Sequence, residues 1–398
     1  MDAAGPATAS GTLVVRNIGV LASGDLSSPI AEADTVVAVD GVITFVGRAA
    51  DAPDHPQASI IDAGGATVMP GYLDNHVHPV IGDWTPRQKA TDWIDSCLHG
   101  GVTTMLSAGE PHVPGRPTDP AGAKALAILA HRAFANLRPS RVKVHAGAVL
   151  LEHGLVEADF DDLAEAGCRL VGEIGISGVK DPAIAAQMTR WAQARGMKVM
   201  VHTGGASIPG SGVIGPDFVA EVQPDVAGHV NGGPTSLRVA DVATILDTTS
   251  AHIEFVHNGN MTTLGLMTNL ARERGELHRV VVGTDCPAGS GVQPLGILRV
   301  MATMASTGGI APELAVAAAT GNTARLHGLN RGVIRAGAEA DLVVVDAPLG
   351  SQASDALGAL AVGDTPAVAI AVIDGAVLFT KSRNTPPATR TIAVTAAH

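Results

Sequence analysis

TVMPGYLDNHVHPV, residues 67–80, sets an apolar run, a Pro-Gly break and then two histidines one residue apart. Side chains along a strand alternate faces, so His76 and His78 point the same way. They are either two hydrogen-bonded core imidazoles or two ligands of one ion. Working outward, seven further short apolar runs follow: TTMLSAG, VKVHAGAVLL, RLVGEIGI, KVMVHTGG, VAGHVN, IEFVHNGN and RVVVGTDC. Helical stretches separate several of them, as at residues 87–99, 122–136, 182–195 and 261–274. Strand then helix, repeated, predicts a parallel sheet, and eight strands are the number that closes a (β/α)8 TIM barrel of the α/β class.

The polar residues decide what such a barrel does. Each run is apolar until its C-terminal end, where the first carries His76 and His78, the third His145, the fourth Glu173, the fifth His202, the sixth His229, the seventh His257 and the eighth Asp285. Barrel enzymes build their active sites at that rim, from several strands at once. Burying so many imidazoles and carboxylates unpaired would cost several kcal/mol, so the core-histidine reading weakens. Imidazole with carboxylate suits zinc, iron, nickel or manganese. Cys97, Cys168 and Cys286 lie far apart with no CxxC pair, which argues against a closed thiolate site. His76, His78, His202, His229 and Asp285 suffice for one metal and part of a second. Two ions need a bridging anion, and Glu173 is placed to supply it.

The chain ends read differently. Residues 12–66 and the stretches AEADLVVVD and VAIAVIDGAVLF are β-runs, with Asp-Gly hairpin signals at Asp40–Gly41 and Asp374–Gly375. We expect a small β-sandwich domain from residues 1–66 and 332–398, and the hydrolase barrel from 67–331. With 46% hydrophobic residues and only 16% charged, the 398-residue chain can bury a large core. A formal charge of -12 and 3% aromatics disfavour nucleic acid and acidic membranes as partners. No run is long and apolar enough for a membrane helix and the N-terminus lacks a signal pattern, so a cytoplasmic protein is expected.

These motifs resemble the amidohydrolase superfamily over nearly the whole chain. MPGYLDNHVH is similar to its first-strand PGxxDxHxH motif, VMVHTGG and VAGHVN to its strand-five and strand-six histidines, VVVGTDCP to its strand-eight aspartate, and GVIRAGAEADLVVVD to its return into the small β-domain. Many members bridge two metals with a carboxylated lysine ending strand four. Here Glu173 stands in that strand, Lys180 lies well beyond it and Lys143 begins strand three. HGGVTTMLSAGEPHVPGRP, VHTGGASIPGS, HVNGGPTS and KSRNTPPA are similar to glutamate-bridged members that open cyclic amides in anaerobic nicotinate degradation. The resemblance implies hydrolysis of the lactam 6-oxo-1,4,5,6-tetrahydronicotinate to 2-formylglutarate and ammonia, two divalent metals per chain (zinc and iron) and a homotetramer.

On this reading His76, His78 and Asp285 hold one metal, His202 and His229 the other, and Glu173 joins them. Water between two cations can lose its proton near neutral pH. Asp285 takes the nucleophile's proton and passes it to the departing nitrogen, with His145 or His257 as oxyanion partner. Arg87 is the first candidate for a substrate carboxylate, with His112 and Arg116 as alternatives. Gly204 and Gly205 belong to a rim loop shaping the pocket. His99, His131, His252, His278 and His327 read as structural, and Cys286 as inert. The rivals are a dihydropyrimidinase-like or imide ring opener, a heterocycle deaminase, a dipeptidase, and a scaffold without catalysis. A mononuclear deaminase needs an HxxE acid, which HTGGAS lacks.

Overall fold

A computed structural model describes residues 11–79, 90–110, 116–206, 210–233, 235–287 and 291–395. Among these residues the strands fall into four sheets. Two are parallel: Lys143–His145, Val102–Ser107 and Tyr72–Val77 form one, and Ala148–Val149, Leu170–Ile174, Lys198–His202, Val226–Gly228, His252–Val256 and Val280–Gly283 the other, each in that order. Every strand candidate of the sequence is found here, and helices Pro120–Asn136, Pro182–Ala194 and Met261–Glu273 lie where periodicity places them. The helix expected from residue 87 is seen from Ala90 to Leu98. Asp119, Asp181 and Asn260 cap the other three by accepting backbone N–H bonds in the first turn. The ends of the first and eighth strands meet, with Asp285 N–H donating to His76 O at 2.9 Å and His78 N–H to Cys286 O at 2.7 Å. Asp74 adds a second tie, accepting from Thr284 N at 2.8 Å and Thr284 Oγ1 at 2.6 Å.

The first motif is divided where the Pro-Gly break stands. Thr67–Pro70 leaves the parallel set and pairs with Leu342–Val345 and with Val20–Leu21, whereas Tyr72–Val77 pairs with Val102–Ser107. The partners change between adjacent amides: Gly71 N–H donates to Asp341 O and Tyr72 N–H to Gly101 O. A side chain at 71 is impossible without rearrangement, since a Cβ would lie 2.3 Å from Thr103.

The chain ends supply the two remaining sheets, of five strands (Ala393–Thr395, Ser59–Asp62, Thr12–Arg16, Thr35–Val39, Val42–Gly47) and six (Ala376–Phe379, Ala367–Ile373, Leu342–Asp346, Thr67–Pro70, Val20–Ala22, Ile30–Ala31). Leu13, Val15, Ile61, Val68, Val344 and Ile370, drawn from both sheets, bury into one apolar cluster. Both Asp-Gly turns have positive φ at each central residue, 48° and 81° at Asp40–Gly41 and 51° and 74° at Asp374–Gly375, as two-residue hairpins require.

Lys143 fastens the strand sheets to the end sheets. Its Nζ lies 2.5 Å from Glu339, 2.7 Å from Asp341 and 2.7 Å from Asp374. Arg331 and Arg138 complete the cluster, at 2.7 Å from Glu339 and 2.8 Å from Asp374. Lys143→Met should lower unfolding stability by about 3 kcal/mol, because it leaves buried carboxylates under-compensated; a shift in the urea midpoint checks this. Burial pushes Glu339 and Asp374 upward, but Arg331 and Lys143 respectively outweigh it and hold both below the usual carboxylate range. Their contribution is therefore present above the unfolded carboxylate pKa of roughly 4 and is lost as pH falls through the lower folded values.

Candidate metal centre

Six side chains converge at the C-terminal ends of the strands. His76 Nε2 lies 3.2 Å from His78 Nε2, and Asp285 Oδ1 lies 3.1 Å from His78 Nε2 and 3.6 Å from His76 Nε2. In a second group His229 Nε2 is 2.8 Å from His202 Nδ1 and 2.7 Å from Glu173 Oε1, which is 3.5 Å from His202 Nδ1. Glu173 reaches the first group as well, at 3.7 Å from His76 Nε2 and 3.7 Å from His78 Nε2. All are buried except Asp285, whose side chain is 18% exposed.

The donor set fits metal ions. His76 Nδ1 faces Glu254 Oε2 at 2.6 Å and His78 Nδ1 faces Gly109 O at 3.1 Å. Those oxygens can only accept, so each neutral ring carries its hydrogen on Nδ1. Both Nε2 lone pairs are then aimed at one point. Ligands about 2.1 Å from a tetrahedral ion stand roughly 3.4 Å apart, a value that the spacings of both groups straddle, the second with two short contacts at 2.7 and 2.8 Å. His202 is turned the other way: Gly205 O lies 3.3 Å from its Nε2, leaving Nδ1 inward.

Electrostatics agree. Burial alone would raise Glu173, but His76 and His229 hold it well below the usual carboxylate range. Burial would lower His76, yet Glu254 and Glu173 carry it well above the ordinary imidazole value. The pocket demands positive charge, and without a cation the imidazoles must supply it. Two of the six residues also sit in the left-handed backbone region, His229 at φ 32° and Asp285 at φ 61°, where non-glycine residues are strained.

A family model described as Amidohydrolase family matches residues 67–378. The chain belongs to the amidohydrolase family. Members are metal-dependent hydrolases of C–N bonds, and so is this one. The amidohydrolase is 52% identical to an enamidase of Eubacterium barkeri, over 95% of this chain and 98% of that one. A crystal structure of enamidase superposes with a TM-score of 0.92 at 50% identity, covering 96% of this chain and all of that chain. A dihydroorotase of Geobacter sulfurreducens is 26% identical over 63% of this chain and 56% of its own. A prolidase-like structure from Bifidobacterium longum, at 17% identity and a TM-score of 0.64 over 96% of this chain and 97% of its own, shares the fold.

The remaining residues named from sequence divide. His145 does not join the two candidate groups. Its Nε2 faces Arg331 Nη1 at 3.3 Å, and burial with Arg331 lowers its pKa to about 4. It belongs to the junction with the end sheets, which corrects the expectation of an oxyanion partner there. His257 packs against Gly296, while its neighbour Asn258 donates to Asp285 Oδ2 at 3.2 Å. Arg116 is committed to the protein: Glu152 accepts at 2.6 Å and Ser177 at 2.8 Å, so its fork ties three rim loops rather than waiting for a substrate carboxylate. Arg87 and His112 lie outside the described residues. At Gly204, with φ 94°, a Cβ would strike Thr235 O at 1.9 Å, and Gly205 N–H donates to that same oxygen. These glycines let two rim loops touch. Lys143, locked among three carboxylates, is unavailable to bridge metals. Asn258 and Glu254 escaped the sequence reading. Glu254 had one signal, a carboxylate inside the apolar run HIEFV.

Proposed function

We propose that the protein is an enamidase: it opens the six-membered lactam 6-oxo-1,4,5,6-tetrahydronicotinate at a binuclear centre, giving 2-formylglutarate and ammonia. The observation that carries this reading is Glu173, one carboxylate within 3.7 Å of nitrogens in both histidine pairs. The likeness to enamidase over 95% of the chain supports the ring chosen. His76, His78 and Asp285 would hold one ion, zinc or iron, His202 and His229 the other, and Glu173 both. Bound there, two divalent cations would supply Lewis acidity toward the amide carbonyl and lower the pKa of water.

The chain's own residues do the rest. Asp285, partly exposed at the rim, accepts the proton of the attacking water and delivers it to the ring nitrogen as the C–N bond breaks. His78 and Asn258, on either side of its carboxylate, hold it in place, and His78, with the charges of His76 and His229, keeps its pKa low despite burial. The released enamine tautomerises to an imine and loses ammonia to water, so ring opening and deamination share one site. Arg87 and His112 stand as candidates for the ring carboxylate. In this reading the nine parallel strand segments close as one (β/α)8 barrel over residues 71–331, four residues later than the expected start at 67 because Thr67–Pro70 pairs in an end sheet, and the end sheets pack as a β-sandwich. The assembly is a cytoplasmic homotetramer, which light scattering tests.

Metal quantification coupled to ammonia release over a panel of cyclic amides tests the function. Two ions per chain and turnover of the tetrahydronicotinate lactam well above that of the same ring without its carboxylate are expected. No turnover of that lactam, with good turnover of a dihydropyrimidine or imide, would overturn the substrate and leave the class intact.

A further inference from the structure

Behind His76 a chain of polar side chains runs away from the metal centre through the core. Glu254 Oε2 lies 2.6 Å from His76 Nδ1, and its Oε1 accepts from Asn75 Nδ2 at 2.6 Å. Asn75 Oδ1 in turn lies 2.7 Å from His327 Nε2. Glu254, Asn75 and His76 are each 1% exposed or less. His327 ends the helix Thr323–His327, whose Leu326 packs on Met200, Val226 and Val281, side chains of the strands below their ligand-bearing ends.

The donors and acceptors admit one consistent assignment. An ionised carboxylate only accepts, so Asn75 must turn its amide N–H to Glu254 and its oxygen to His327. His327 must then donate from Nε2, as a neutral ring can; burial, with His145, Lys198 and His252 around it, lowers its pKa to about 3. At the other end Glu254 requires the hydrogen of His76 on Nδ1. That leaves Nε2 as the free lone pair.

Glu254 does a second thing. Its Oε2 also accepts from the backbone N–H of His229 at 3.1 Å, at the residue held at φ 32°. Gly283 makes room, since a Cβ there would lie 2.5 Å from His76 Cβ and 3.3 Å from Glu254 Oε1. We propose that Glu254, backed by Asn75 and His327, is a positioning residue for both metal positions, fixing the ring of a ligand in one and the backbone of a ligand in the other. The inference rests on the binuclear reading of the site and is independent of the substrate.

Cobalt(II) titration of the metal-depleted full chain, followed by its visible absorption, and zinc affinity by competition with a chromophoric chelator test it. Glu254→Gln presents an N–H where an acceptor is needed and should weaken both equivalents roughly 10–100-fold, with an altered cobalt spectrum. His327→Leu should shift the same spectrum in the same direction by less, and His327→Gln, which can still donate to Asn75, should restore it. A folded Glu254→Gln protein with the parent's affinity and spectrum overturns the proposal. If Glu254→Gln does not fold, an unaltered cobalt spectrum in His327→Leu overturns it instead. Unmodified protein that takes up no cobalt overturns the metal-centre reading itself, which separates the two failures.

Discussion

Replacing Glu173 by glutamine should strip the centre of at least one metal and abolish measurable ring opening. The carboxylate lies against four imidazoles, His76, His78, His202 and His229, and is buried. Removing one partner of a buried charge cluster costs about 3–5 kcal/mol, and at 1.36 kcal/mol per decade that is roughly 10²–10⁴-fold in metal affinity. An amide offers one neutral oxygen where the proposed bridge would use two anionic ones, so one metal position would keep a ligand and the other lose it. Metal content and activity must fall together. Full occupancy with two ions per chain in Glu173→Gln protein would remove the residue from the bridging role, whatever the activity.

Asp285→Asn should act differently. Asparagine preserves size, and it can retain the contact with Asn258, but it is no base and a poorer ligand. If Asp285 moves the proton, kcat should fall by roughly 10²–10⁴-fold, while the Glu173–His202–His229 position still binds its ion. KM should change much less, since a proton-transfer role is exercised in the transition state and not in binding. Single-turnover ammonia release with parallel metal analysis separates the effects. A variant with normal kcat and raised KM would assign Asp285 to substrate binding instead.

Much of this site is legible in the sequence because its residues violate a simple expectation. Strands buried on both faces should be plain apolar runs, so HVH, GEIG, VHTGG, GHVN and GTDC each announce a polar side chain at a strand's end. The candidate ligands the sequence singles out, His76, His78, Glu173, His202, His229 and Asp285, lie together in two neighbouring groups that could hold metal ions. His145 obeys the same pattern in one dimension and fails in three. Its strand is interrupted after residue 145 and resumes at Ala148, and its ring turns to Arg331. Glu254 fails in the other direction. It lies three residues before the run's histidine, and nothing local says that its carboxylate will meet His76 from across the sheet, 178 residues away.

By itself the sequence determined the strand–helix repeat, the Asp-Gly hairpins and the metal-binding chemistry, since those follow from periodicity, turn stereochemistry and the cost of burying unpaired polar groups. Tertiary structure decided the rest. It sent Thr67–Pro70 to a different sheet from Tyr72–Val77 and committed Arg116 to Glu152 and Ser177. It also chose which nitrogen of each histidine faces the centre. Strand partners and ring orientations depend on hydrogen-bond acceptors contributed from far along the chain: Asp341 for Gly71, Glu254 for His76, Gly109 for His78. A one-dimensional pattern carries the donors but not the meeting of donor with acceptor, and that meeting turns buried histidines toward one candidate metal centre.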